Sequence, residues 1–297
     1  MIDALPLPTA VEPVGTRWAW SGFGRRQQRA FSAVLAIKYA TQAVLYLRGV
    51  AFFREVPRPW QVALALALSV AWLACARNPH WALFLVGFSL MLLDAAGKLW
   101  SMGPYFYNHF FLEVVIALIG IASALRVARG DTDRHPWVPL AYLTIAVWAI
   151  AALKKLLLGT YLSGEYLASL HGQARATPMR YLVNLLVGDS AGGIPELCCH
   201  ESTVSVPSLT VIGVLLLGFG MAVGEFLPPL LVWLRAPAKV VGIALIVLTA
   251  VASGVALEWE FGLTNLALST LWTGRRSSWI AVGMSLMFAS AIQLGLF

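Results

Sequence analysis

From Ser208 to Leu234 the chain reads SLTVIGVLLLGFGMAVGEFLPPLLVWL, with Glu225 as its single charged side chain. Runs of this kind recur from end to end, and they constrain the fold more than any other feature. About 20 consecutive apolar residues cross the hydrocarbon core of a bilayer as a helix. Inside that core no water is present to pair with backbone groups, so a chain must close its own hydrogen bonds as helices or as a sealed barrel. Unbroken apolar runs, rather than alternating segments of about ten residues, choose helices. Composition agrees: the 297 residues are 59% hydrophobic and 12% charged, where ordinary soluble domains carry about 25% charged residues. The mean hydropathy is +0.77.

Reading the runs in order predicts nine spans, at about 30–52, 60–76, 81–100, 107–128, 137–158, 207–234, 237–257, 260–273 and 279–297. The eighth is short for a span and is expected to tilt or be partly buried. The sixth holds Pro228 and Pro229 and is expected to kink. Residues 1–24 are Pro-rich and polar and read as a disordered cytoplasmic arm, with no cleavable signal pattern. Residues 25–297 read as one helical transmembrane domain. Its long loop, 159–206, contains PMRYLVNLLVG (178–188), an amphipathic stretch that reads as an interfacial helix. Cys75 lies in an apolar run, and Cys198 and Cys199 are adjacent in the loop, so no disulfide framework is implied.

The net charge of +7 could point to nucleic acid, but the basic residues sit in short segments between apolar runs. That placement points to topology instead. With the N-terminus inside, the inner segments hold 12 of the 21 Lys and Arg residues: Arg17, Arg25, Arg26, Arg29, Arg77, Arg126, Arg129, Arg134, Arg235, Lys239, Arg275 and Arg276. The outer segments hold Arg54, Arg58, Lys98, Arg175 and Arg180. The bias predicts the N-terminus inside and the C-terminus outside.

This topology sorts the polar residues by depth. Asp94 and Lys98, spaced i,i+4, end the third span, and Asn108, His109 and Glu113 open the fourth. Lys154 and Lys155 lie about a turn before the end of the fifth, and Glu258 and Glu260 follow the seventh. All converge on the outer half. A lysine near a helix end commonly snorkels to the headgroups. Adjacent residues, however, point about 100° apart, so Lys154 and Lys155 cannot both do so. A lysine turned into the bundle is a candidate base. His109 lies among Tyr105, Phe106, Tyr107, Phe110 and Phe111, an interfacial aromatic belt in which a histidine is often only a hydrogen-bonding belt residue. The alternative is a proton carrier beside the lysine, with Asn108 orienting a ligand carbonyl. His109 and Glu113, with Asp94 near, could ligate a metal, but no second such motif supports it and no metal site is assigned. Glu225 and Lys38 lie deeper, where a structural pair or a bond from Glu225 to a backbone amide freed by the prolines is the expectation.

At these positions the chain resembles the vitamin K-dependent γ-glutamyl carboxylase family and its bacterial relatives, the horizontally transferred transmembrane (HTTM) domain proteins. YNHFFL (107–112), AALKKLLLGTYLSGEYL (151–167) and GEFLPPLLVWLRAP (224–237) carry the likeness, spread over most of the chain. The resemblance implies an all-α, carboxylase-like bundle in a bacterial inner membrane, with vitamin K hydroquinone or another membrane quinol as cofactor. Lys155 matches the family's base, which deprotonates the hydroquinone, and His109 its histidine, with Asn108 beside it. Lys154, Asp94 and Glu113 would line the quinol site. Oxygen then converts the quinol to an epoxide while carbon dioxide adds to a glutamate. The family's lumenal domain, which presents that glutamate, has no counterpart before Phe297, so the chain reads as a truncated form. Its partner would be a separate domain or an exported peptide. A non-catalytic partner that matures or shields such a peptide, and a small-molecule carrier, are the alternatives.

Overall fold

A computed structural model describes residues 25–49, 58–102, 107–130, 137–158, 208–256, 259–273 and 277–294. The expected arm at 1–24, the loop at 159–206 with its interfacial helix, and Glu258 lie outside these residues. Among the described residues there are nine α-helices and no strand. They are α1 (Arg25–Leu47), α2 (Pro59–Arg77), α3 (Trp81–Met102), α4 (Tyr107–Ala128), α5 (Val138–Leu158), α6 (Ser208–Trp233), α7 (Ala238–Ala256), α8 (Trp259–Ser269) and α9 (Ser278–Gln293), with a 3-10 turn, Thr270–Trp272, after α8. Five of them, α1 to α5, are long and apolar enough to cross a membrane, and shorter apolar stretches run over Phe219–Trp233, Ala238–Ala252 and Ser278–Gln293.

Local chemistry sets several helix ends. Pro59 opens α2, where its missing N–H is not needed, and the Arg58 N–H donates to Gln61 Oε1 at 2.8 Å. α6 runs unbroken through Pro228 and Pro229. It stops at Arg235, whose φ of 58° is left-handed. The Ala236 N–H reaches back to the Leu231 carbonyl at 2.8 Å and the Arg235 N–H to that of Val232 at 3.0 Å. This pairing closes a helix whose next residue but one, Pro237, cannot continue it.

The core is aromatic at its centre. Trp72 of α2 packs edge-on against Phe88 of α3 with centroids 5.0 Å apart, and Phe31 of α1 and Phe84 join them. Close helix approach depends on glycine here, since a Cβ on Gly120 of α4 would lie 2.5 Å from the Phe88 ring.

The short eighth helix departs most from the expectation of a span. α8 rises about 16 Å at 1.5 Å per residue, about half of the roughly 30 Å hydrocarbon core. Nearly every residue from Trp259 to Thr273 is buried. It packs against α1, α4, α5, α7 and α9, so it forms the axis of the bundle instead of part of its wall. Its polar side chains bond back to its own backbone: Thr264 to the Glu260 carbonyl at 2.8 Å, Asn265 to Phe261 at 2.9 Å and Ser269 to Asn265 at 2.7 Å. These bonds let a short, mostly apolar helix carry three polar side chains where no water competes.

Cross-links show which helix ends meet. Gln27 Nε2 donates to the Thr273 carbonyl at 3.4 Å, and Trp272 Nε1 to that of Ala141 at 2.8 Å. The starts of α1 and α5 therefore meet the end of the α8 segment. Arg48 Nη1 donates to the Gln293 carbonyl at 3.1 Å, bringing the ends of α1 and α9 together.

Candidate functional site

The surface is apolar and the charges are inside. Val70, Leu73, Leu93, Ile150 and Leu157 are among many large apolar side chains left exposed, whereas Lys38, Asp94, Lys98, Glu113 and Glu260 are each no more than 2% exposed. A soluble protein arranges these the other way. Together with five long apolar helices, the pattern is compatible with a multi-pass membrane protein, in which ionisable groups face the bundle interior.

Five of the buried ions form one cluster at the junction of α1, α3, α4 and α8. Lys38 of α1 is salt-bridged to Glu113 of α4. Lys98 of α3 lies 2.8 Å from Asp94 one turn earlier and 3.7 Å from Glu260 at the start of α8. Glu260 interacts electrostatically with both lysines and with both other carboxylates. Lys98 Nζ also stands 5.2 Å from the centre of the Phe110 ring, and Lys38 Nζ 4.8 Å from that of Tyr39. Gln42 donates to the Tyr46 hydroxyl at 2.9 Å on the same helix. Burying charges is costly unless each meets an opposite charge; Lys38 with Glu113 and Lys98 with Asp94 meet that condition, while Glu260 has only the longer approach to Lys98.

A second site joins α5 to α6. Lys155 is salt-bridged to Glu225, its side chain 13% exposed and that of Glu225 4%. Lys154 points out and is exposed. The two adjacent lysines thus separate, one into a helix junction and one outward. Leu153, Leu156 and Leu157 on α5, and Val223, Phe226 and Leu227 on α6, are exposed around the pair. The pair therefore sits just inside an apolar surface.

The residues singled out from sequence distribute as follows. Asp94 and Glu113 fall in the five-ion cluster. Lys155 falls in the second site. The backbone of Asn108 and His109 forms the first turn of α4, one turn before Glu113, and their side chains lie outside the described residues. The expected pairing of Glu225 with Lys38 is corrected: Glu225 takes Lys155, and Lys38 takes Glu113. Tyr39, Gln42 and Tyr46 belong to the polar face of α1 and escaped the sequence reading. The signal was present, since Lys38 and Gln42, and Gln42 and Tyr46, are spaced i,i+4 in the apolar second half of the helix.

Among the described residues no group of three His, Cys, Asp or Glu could hold a metal ion. Compared with family models, with curated proteins and with solved structures, the chain matches none.

Proposed function

We propose that the chain is a multi-pass membrane protein that takes a reduced quinone laterally from the bilayer and activates it at the Lys155–Glu225 pair. The observation that carries this reading is the position of the pair: a charged couple, buried against water, beneath apolar side chains that face the lipid. Ionisable groups at such depth are expensive and mark functional sites by default. A hydroquinone is apolar enough to arrive through lipid and carries two acidic hydroxyls.

In a salt bridge the ammonium cannot accept a proton, so the pair acts as a unit. The Glu225 carboxylate accepts the hydroquinone proton as the O–H bond breaks. The Lys155 ammonium faces the oxyanion that remains and stabilises it. The role of base, which the carboxylase likeness gives to the lysine, passes to Glu225, and Lys155 stabilises the charge that forms. His109 and Asn108, on the first turn of α4, keep the ligand-positioning roles that the same likeness gives them.

Topology fits the same reading. With the N-terminus inside and α1 to α5 each crossing the membrane, α5 runs outward and α6 inward. Side chains on a helix lean toward its N-terminus. Lys155 then leans inward from near the end of α5, and Glu225 leans outward from the inner half of α6. The two meet although their backbone depths differ.

The test is turnover of vitamin K hydroquinone in lipid nanodiscs. Lys155→Ala and Glu225→Gln are expected to lower it by roughly 10²- to 10⁴-fold, the usual share of a proton-transfer group, and Lys154→Ala to leave it unchanged. The exchanged variant Lys155→Glu/Glu225→Lys keeps an ion pair at the junction. If it folds and turns over quinol like the wild type, the pair is structural and the assignment fails.

A further inference from the structure

We propose that Glu260 is a proton-binding site, a buried carboxylic acid at the centre of the bundle that carries its proton at neutral pH. Three observations meet at this residue. First, the lysines nearest to it are already engaged: Lys38 is salt-bridged to Glu113, and Lys98 lies 2.8 Å from Asp94 but 3.7 Å from Glu260. Second, neither carboxyl oxygen of Glu260 receives a hydrogen bond among the described residues, although the residue is only 2% exposed; Asp94 receives none either, but it has Lys98 at 2.8 Å. A carboxylate in that setting lacks water and has only the Lys98 ammonium, 3.7 Å away and beyond hydrogen-bonding reach, so burial favours its neutral form. Third, the Tyr39 hydroxyl is fully buried, has no hydrogen-bond partner among the described residues, and acts electrostatically on Glu260, Asp94 and Glu113. It is an unused O–H group within the electrostatic reach of the cluster.

Among the described side chains, α1 sets Lys38, Tyr39 and Tyr46 around Glu260, α4 sets Glu113, and α3 adds Asp94 and Lys98; those of Tyr107 and His109 on α4 lie outside the described residues. α9 has no titratable side chain, and those of α5 and α7 among the described residues are Tyr142, Lys154, Lys155 and Lys239, none of which is among the groups acting most strongly on Glu260. Around Glu260 the described residues thus set three carboxyls against two ammoniums. One proton balances the set. A metal ion would need several ligands converging, and among the described residues no such group exists; a proton needs one oxygen. The inference does not depend on the quinol reading, because it concerns a different pair of helix junctions.

The experiment is infrared difference spectroscopy of the full chain in nanodiscs at neutral pH, in H2O and D2O. The wild type is expected to show a protonated-carboxyl C=O band that shifts in D2O. Glu260→Gln should abolish that band and leave the thermal unfolding midpoint unchanged, because the amide mimics a neutral acid. Asp94→Asn should retain the band. A wild-type spectrum with no such band overturns the proposal, as does a band that survives in full in Glu260→Gln. A large fall in midpoint in Glu260→Gln also overturns it, since that marks an ionised carboxylate paired with Lys98. Stabilisation of the wild type by sodium over an organic cation, lost in Glu260→Gln, would assign the site to an alkali cation and likewise overturn it.

Discussion

At the scale of single residues, the buried charges govern stability through their partners. Lys38 and Glu113 are joined from α1 to α4 with no contact to solvent. Removing one partner strands the other, at a cost of roughly 3–5 kcal/mol, whereas replacing both by apolar groups of similar volume is often neutral or better. Lys38→Met and Glu113→Gln are therefore each expected to lower the unfolding midpoint sharply in detergent, and the double variant Lys38→Met/Glu113→Leu to recover most of the loss. A double variant as unstable as either single one would mean that the pair itself, and not the stranded charge, supplies the stability. That Lys38 is polar and deep was legible in the sequence, and Glu113 was read with the groups of the outer half. Their partners were not, because depth counted along a span gives a layer and not a direction. Lys38 could be matched with Glu225 only by layer. The choice of Glu113 depends on which helices are neighbours, a matter of packing between segments 75 residues apart.

At the scale of elements, the runs themselves were readable: the nine expected segments and the nine described helices coincide within a few residues at most ends. The sixth run shows what local rules leave out. Two prolines predict a kink, and α6 continues through Pro228 and Pro229 as one helix, because neighbouring helices can hold a helix together where its own hydrogen bonds are lost. The eighth run shows the opposite. Hydropathy cannot separate a helix that faces lipid from one that faces other helices, and α8 is apolar for the second reason. Its seating depends on Gly242 of α7, where a Cβ would come 2.8 Å from the Trp272 backbone carbon and 2.7 Å from the Thr273 side chain. Backbone cannot step aside as a side chain can. Gly242→Ala is expected to destabilise by roughly 1–3 kcal/mol, the usual cost of overpacking. Gly283→Ala on α9, where a Cβ meets nothing within 4 Å, is expected to be neutral or to gain about 0.5–1 kcal/mol from lower backbone entropy in the unfolded chain. Unfolding midpoints of the two variants, taken side by side, check the contrast.

At the scale of the whole molecule, the cross-links and the charge bias make one joint prediction. The starts of α1 and α5 meet the end of the α8 segment, and the ends of α1 and α9 meet each other. Helices that alternate in direction satisfy all three links. The basic residues then divide by end. Arg25, Arg26 and Arg29 open α1, Arg77 closes α2, Arg126 and Arg129 close α4, and Arg235 and Lys239 bracket the turn from α6 to α7. All of these share the end that contains Thr273, and Arg48, Arg58 and Lys98 lie toward the other. The positive-inside tendency assigns the first end to the cytoplasm. In a chain with its native cysteines replaced, Arg48→Cys and Leu294→Cys should react with a membrane-impermeant maleimide added to intact cells. Arg77→Cys and Arg129→Cys should react only after the membrane is opened. Labelling of Arg48→Cys and Arg77→Cys from the same side would break the alternation itself. Reversed labelling of all four would keep the bundle and invert it, placing the Lys155–Glu225 pair nearer the cytoplasmic face.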